Sequence, residues 1–301
     1  MKMMLFPFLA LTFSFTSLAL LRGAEDERPV VDSSKIHSEK PADPKLPTFF
    51  IVGDSTVKSG GQKGAYGWGE RIAPYFDVTK INVVNHAIGG RSSRTFFTEG
   101  RWNTVLGQMK AGDIVIIQFG HNDGGRIGDP AVKRRASGRG TGPETVNDPT
   151  SDGAEELVHT FGWYMAKYVT DAKKKGAIVI LCSPIPHKDK WEGEQDFANV
   201  AQWDQEVAAA NGALYFDLTR IVSDGYRKIG NEKVVTFFSD PRTHTNDIGA
   251  QFNAACVIAG LKRLPENPLA PYFSGKAEGV PAYQPNTVSA ARTSSAAPVL
   301  E

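Results

Sequence analysis

The sequence predicts an α/β fold in which a parallel sheet lies between helices, and three observations predict it. Five short runs rich in Val, Ile and Phe alternate along the chain with helical patterns, as parallel strands with helical crossovers require. The runs are continuous rather than alternately apolar and polar, which is how strands buried on both faces read. Polar, chemistry-bearing residues stand directly behind them, at the strand ends where such sheets bind ligands.

The elements follow in order. Residues 1–24 predict a signal peptide, with Lys2 as its positive end and 5–21 as an apolar run broken only by Thr, Ser and Pro. The cleavage site is either Ser17-Leu18-Ala19 or the region ending at Ala24. A membrane anchor is the weaker reading, because the run is short for a span. The expectation is a secreted or periplasmic protein with no membrane attachment after cleavage. Residues 25–46 are polar and aperiodic and predict a flexible lead-in. The folded domain is expected over 47–273, and the Ala-, Ser-, Thr- and Pro-rich stretch 274–301 is expected to be a disordered tail.

Within the domain the apolar runs are 48–52, 82–85, 113–119, 177–182 and 214–216, and helical patterns cover 67–76, 104–110, 155–175, 196–211 and 246–264. In the longest pattern Leu157, Phe161, Tyr164, Met165, Tyr168 and Val169 recur at helical spacing. It closes on Lys173-Lys174-Lys175-Gly176, with cations suited to a helix C-terminus and a glycine C-cap.

Composition excludes several classes. A chain of 301 residues, 41% hydrophobic, has the apolar material for one full core. A net charge of +1 leaves no basic footprint for nucleic acid. The local excess Lys133, Arg134, Arg135 and Arg139 is either a solvated loop or a contact for an acidic polysaccharide. Cys182 and Cys256 read as small buried hydrophobes. No cluster has zinc-ligand spacing, so neither a metal nor another cofactor is expected.

Four strand-following loops carry the chemistry. The first is Gly53-Asp54-Ser55-Thr56-Val57, where a serine on a tight turn is exposed and its backbone N–H can face a carbonyl. A phosphate-binding loop fails on spacing, since Lys58 stands where Gly is needed, and the Gly-x-Ser-x-Gly elbow fails at Val57. Taken alone the string is also consistent with a plain turn. The second loop, Asn85-His86-Ala87-Ile88-Gly89-Gly90-Arg91-Ser92, holds paired glycines that bare their N–H donors. In the third, Gly120-His121-Asn122-Asp123, the Asn122 amide is a candidate oxyanion donor. The last, Asp240-Pro241-Arg242-Thr243-His244-Thr245-Asn246, offers His244 as a base, with Asp240 four residues upstream to fix its tautomer.

These blocks resemble the SGNH (GDS-type) hydrolase superfamily, and most closely its rhamnogalacturonan acetylesterase branch. Gly53-Asp54-Ser55-Thr56, Tyr66-Gly67-Trp68-Gly69-Glu70, Gly90-Arg91-Ser92-Ser93-Arg94, Gly100-Arg101-Trp102, Ala111-Gly112-Asp113, Phe119 to Gly125 and Thr243-His244-Thr245-Asn246 carry the likeness, over most of 48–260. It implies a flavodoxin-like three-layer α/β/α sandwich around a five-stranded parallel sheet. It also implies Ser55 as nucleophile, His244 as base and then acid, and Asp240 as its orienting acid. The oxyanion would lie among the Ser55 and Gly90 N–H groups and the Asn122 amide. One feature departs from the pattern: the family's acid stands three residues before its histidine, where this chain has Pro241. Either Asp240 serves from one residue further away, or a Ser–His dyad works with a backbone carbonyl. The implied reaction is hydrolysis of O-acetyl esters on polysaccharide, with acetylated rhamnogalacturonan as the expected substrate. A lipase or short-chain acyl esterase, and a catalytically dead carbohydrate-binding protein, are the competing readings.

Overall fold

The computed structural model describes residues 39–58, 60–149, 155–192 and 195–285. The predicted signal peptide and the stretch 286–301 lie outside them. The central sheet has five strands, β1 (Thr48–Gly53), β2 (Asn82–Asn85), β3 (Ile114–Gln118), β6 (Ile178–Cys182) and β7 (Leu214–Phe216), in the order β2-β1-β3-β6-β7. All four pairings are parallel. A short antiparallel hairpin, β4 (Thr145–Pro149) with β5 (Glu155–His159), stands apart from it.

The continuous apolar runs have the reason the sequence suggested. Phe49, Ile51, Ile114, Ile116, Ile180 and Cys182 face one core layer. Phe50, Val52, Val115, Ile117, Val179 and Leu181 face the other. On the first face pack α5 (Leu218–Ile229) and α7 (Asp247–Leu261), through Val222, Tyr226, Val257 and Leu261. On the second lie α1 (Ser93–Thr98), α2 (Arg101–Gln108), α3 (Phe161–Lys174) and α4 (Ala198–Asn211), where Trp102 and Tyr168 meet edge to face at 4.9 Å. This is the three-layer α/β/α sandwich. The short helices α6 (Asn231–Val234) and α8 (Gly275–Glu278) complete it.

Three expectations need correction. Residues 67–76 form two 3₁₀ turns, Trp68–Glu70 and Ala73–Tyr75, because Pro74 lacks the N–H an α-helix would need there. The helix expected from 155 starts only at Phe161, capped by the Thr160 hydroxyl, which accepts from the Trp163 N–H at 3.1 Å. Residues 155–159 instead pair with 145–149, so Leu157 is exposed while Val158 is buried. The domain also continues past 273: α8 and the following residues pack on the core, and the Tyr283 hydroxyl donates to Asp224 at 2.6 Å. The stretch 274–285 is therefore part of the fold. Cys182 and Cys256 are both buried and unpaired.

Candidate active site

Reversal of strand order at β1 opens a crevice between the carboxyl ends of β1 and β3. Ser55 follows β1 and Asn122 follows β3, so the topology brings both loops to one sheet edge. Gly53 makes the turn possible: a Cβ there would lie 2.7 Å from Val57 Cγ2 and 2.8 Å from the Gln118 carbonyl. Asp54 then ties the turn down. Its Oδ1 accepts from both the backbone N–H and the hydroxyl of Thr56 at 2.8 Å, and its carbonyl accepts from Val57 at 3.2 Å and Lys58 at 3.0 Å. Burial pushes the Asp54 carboxyl up to about 6 against the lowering effect of the Thr56 donors. From below, the Gln118 amide donates to the Thr56 hydroxyl at 2.8 Å and accepts from the Trp68 indole at 2.9 Å.

His244 Nε2 lies 2.8 Å from Ser55 Oγ, within reach of its proton. Its Nδ1 is hydrogen-bonded to Asp240 Oδ2. The displaced acid reaches because its two oxygens have separate tasks. Asp240 Oδ1 accepts from the N–H groups of Arg242 at 2.8 Å, Thr243 at 2.7 Å and His244 at 3.2 Å, closing the loop on itself. Bonds from the Ser239 N–H at 2.9 Å and hydroxyl at 3.1 Å to the His244 carbonyl clamp the loop's base. Burial alone would raise the Asp240 carboxyl. The donors of Arg242 and Thr243, with His244, reverse that and hold it down at about 2. It stays ionised wherever the imidazole can act as a base.

Gly90 adopts φ +74°, a left-handed conformation that favours glycine. Among the described residues neither its N–H nor that of Ser55 has an acceptor. The Asn122 Nδ2 donates to the Arg91 carbonyl at 3.1 Å, and Arg135 Nη1 donates to Asn122 Oδ1 at 2.9 Å. The arginine thereby fixes which end of the amide faces the Gly90 loop. Arg135 is expected to be a positioning residue. Arg135→Met should lower kcat on a synthetic acetate ester about tenfold with little change in KM, a fraction of what one oxyanion donor supplies. An unchanged kcat would show that the amide holds its orientation unaided.

His121 is no rival base. It packs edge to face on His187 at 4.9 Å and on Phe197 at 4.7 Å, and burial lowers it to about 3. Asp123 accepts from the Ser93 N–H at 3.0 Å and the Ser137 hydroxyl at 3.1 Å, joining three loops beneath the site. Burial pushes its carboxyl up to about 7, opposed by Ser93 and Ser137 and helped by the neighbouring Asp54. A carboxyl raised above its ordinary 3.8 adds most stability below that pH, and this is lost as pH rises through about 7. Asp123→Asn should therefore gain stability relative to the wild type between about pH 4 and pH 7, seen in urea midpoints across that window. Midpoints that stay parallel would mean that Asp123 is already ionised at the acid end.

One hollow holds the Ser55–His244 pair, and a second lies against the loop that bears Asn122. The first, of about 400 Å³, contains Ser55, Gly89 and His244. The other, of about 740 Å³, is lined by Gly120, Asp123 and Gly124 of the loop after β3 and by Phe197 and Trp203. The Arg139 guanidinium stands 5.7 Å above the half-buried Trp203 ring. Of the tryptophans, Trp68, Trp102 and Trp191 are core residues, and Trp163 stacks on His159 at 3.6 Å. Sequence reasoning passed over Trp203 and named Arg135 only as one of a basic cluster, not as a partner of Asn122. The basic cluster that contains Arg135 was the available signal. Among the described residues no group of His, Cys, Asp or Glu is placed to hold a metal ion.

A serine, a histidine and an aspartate hydrogen-bonded in series at one edge of a parallel α/β sheet form the arrangement that serine acyl hydrolases use. The chain belongs to the GDSL-like lipase/acylhydrolase family, whose model matches residues 51–252. It is 32% identical to the rhamnogalacturonan acetylesterase of Emericella nidulans over 221 residues, 71% of this chain and 86% of that protein. It is 30% identical to the probable rhamnogalacturonan acetylesterase YesY of Bacillus subtilis, covering 72% of this chain and 93% of that one. The fold is similar to that of the Bacillus subtilis protein YxiM, with a TM-score of 0.58 at 24% identity over 72% of this chain and 56% of that one.

Proposed function

We propose that this protein is a carbohydrate acetylesterase that removes O-acetyl groups from acetylated rhamnogalacturonan and acts outside the cytoplasm. Ser55 Oγ passes its proton to His244 Nε2 and attacks the acetyl carbonyl. The oxyanion collects the Ser55 and Gly90 N–H groups and the Asn122 amide, and Asp240 stabilises the imidazolium. The proton then goes to the departing sugar oxygen, the C–O bond breaks, and an acetyl-Ser55 ester remains. Water, deprotonated by His244, releases acetate and restores the serine.

The observation that carries the carbohydrate reading is the second hollow, which starts at the Asn122 loop and presents Trp203 under Arg139. An aromatic face with a guanidinium above it suits a sugar ring that bears charge. The names of the two relatives at 30% identity or more point the same way. The signal-like run at 5–21 supports export.

Acetate release from acetylated rhamnogalacturonan, acetylated xylan and 4-nitrophenyl esters of increasing chain length tests the reading. Release chiefly from the pectic polymer is the expected result. A rate that climbs with acyl length would instead make the protein a lipase-type acyl hydrolase, and binding without release would make it a lectin-like relative.

A further inference from the structure

The hollow at Ser55 contains two cations that acyl transfer does not use, Lys58 and Lys63. Lys58 is half-buried and Lys63 exposed. The stem of Lys58 shares Gly89 with the nucleophile: a Cβ on Gly89 would lie 3.6 Å from Ser55 Cβ and 3.7 Å from Lys58 Cδ. Among the described residues neither ammonium has a carboxylate partner. The nearby acids are already engaged. Glu70 accepts from the Gly60 N–H at 2.7 Å and faces Arg71 at 3.7 Å, and both oxygens of Asp240 are taken up by its own loop and His244. The cavity wall that meets the acyl-bearing group therefore has an uncompensated positive charge.

A half-buried ammonium without a counter-ion, next to a reactive serine, is matched by a substrate that brings its own anion. We propose that Lys58, assisted by Lys63, binds the carboxylate of the very sugar whose hydroxyl is acetylated, making the enzyme selective for acetylated hexuronates. The inference rests on the carbohydrate acetylesterase reading and adds the specificity residue. The geometry suits it, because a hexuronate places its carboxyl within one ring of its acyl group, and Ser55 and the Lys58 stem are separated by a single glycine. Lysine also suits it: its flexible stem can follow a carboxylate on a ring whose acetate sits at either neighbouring hydroxyl.

The test compares kcat/KM on acetylated galacturonate oligosaccharides with the same oligosaccharides after methyl esterification of their carboxyls, at low and high salt. The acid form should be preferred about tenfold at low salt, consistent with one charge-assisted contact, and the preference should shrink as salt rises. Lys58→Gln should move the ratio towards one through KM, and Lys58→Arg should restore most of it. Because the readout is a ratio within each variant, a general loss of folded protein does not move it. A ratio near one in the wild type, or an unaltered ratio in Lys58→Gln, overturns the proposal while leaving the carbohydrate reading standing. If neither oligosaccharide loses acetate while acetylated rhamnogalacturonan or xylan does, the Lys58 assignment alone fails. If none of these carbohydrates loses acetate while 4-nitrophenyl acetate is cleaved, the carbohydrate reading fails and the Lys58 assignment fails with it.

Discussion

Ser55→Ala should lower kcat for acetate release by on the order of 10⁴ or more, and adding His244→Ala should cost almost nothing further. On the proposed mechanism the two side chains form one proton path, 2.8 Å between Oγ and Nε2, so removing either end should remove the whole. What should survive in both variants is the contribution of the proposed oxyanion donors, the N–H groups of position 55 and Gly90 and the Asn122 amide. Asp240→Asn should cost less, about 10²–10⁴, because a neutral amide still fits the loop but no longer balances the imidazolium. Initial rates on 4-nitrophenyl acetate, with circular dichroism as the folding control, check all three. If the Ser55 and His244 losses instead multiply in the double variant, the shared proton path is wrong.

Much of this site could be read from the sequence for a topological reason. In a parallel sheet every strand ends at the same edge, so loops that follow strands meet in space however far apart they lie in the chain. Ser55 and Asn122 needed only that rule, since each directly follows its strand. The His244 loop does not follow a strand as expected: it comes after the turn Val235–Phe237, two helices beyond β7, and reaches Ser55 across 189 residues. The Asp240 assignment needed more. Spacing alone left open whether an acid four residues before the histidine could reach, and the answer depends on one carboxylate oxygen capping three backbone N–H groups while the other holds the ring. Arg135 and Lys58 were harder still. Arg135 acts through the path of a long loop over β3, which no local pattern encodes, and Lys58 registered only as a residue that spoils a phosphate-loop spacing.

The fold divides along the same line. Strands buried on two faces announce themselves, because every residue from Thr48 to Gly53 is buried. The hairpin did not, because β5 is a strand only by virtue of its partner β4, and Leu157 happens to fall at helical spacing from Phe161. The C-terminal stretch misled through composition. Its polar, small residues predict disorder, yet Ala277 is fully buried, and the Lys262 ammonium donates to the carbonyls of Ala277 and Val280 at 2.6 Å.

The hairpin leads to the largest expected effect on stability. Arg94 on α1 is completely buried. Its Nη2 meets Asp148 at 2.7 Å on β4, its Nε meets Glu156 at 2.8 Å on β5, and its Nη1 donates to the Ala136 carbonyl at 2.9 Å. Arg94→Met should cost about 3–5 kcal/mol, because it strands the equally buried Asp148 carboxylate and the Ala136 carbonyl. Arg94→Lys should recover only part of this, since one ammonium cannot fork to carboxylates on two strands and a loop carbonyl at once. The pH dependence has a definite sign. Burial opposes ionisation of Glu156, but Arg94 and Arg134 lower its carboxyl below the usual glutamate value. A lowered carboxyl stabilises above its unfolded value and loses that contribution as pH falls, so the gap between wild type and Arg94→Met should narrow in acid. Urea midpoints at neutral and acidic pH measure it. The effect also bears on catalysis, for Ala136 adjoins Arg135, which orients the Asn122 amide. Arg94→Met should thus lower kcat even where the protein remains folded. Lost stability with full kcat would mean that the hairpin anchors the fold without helping to aim the oxyanion donor.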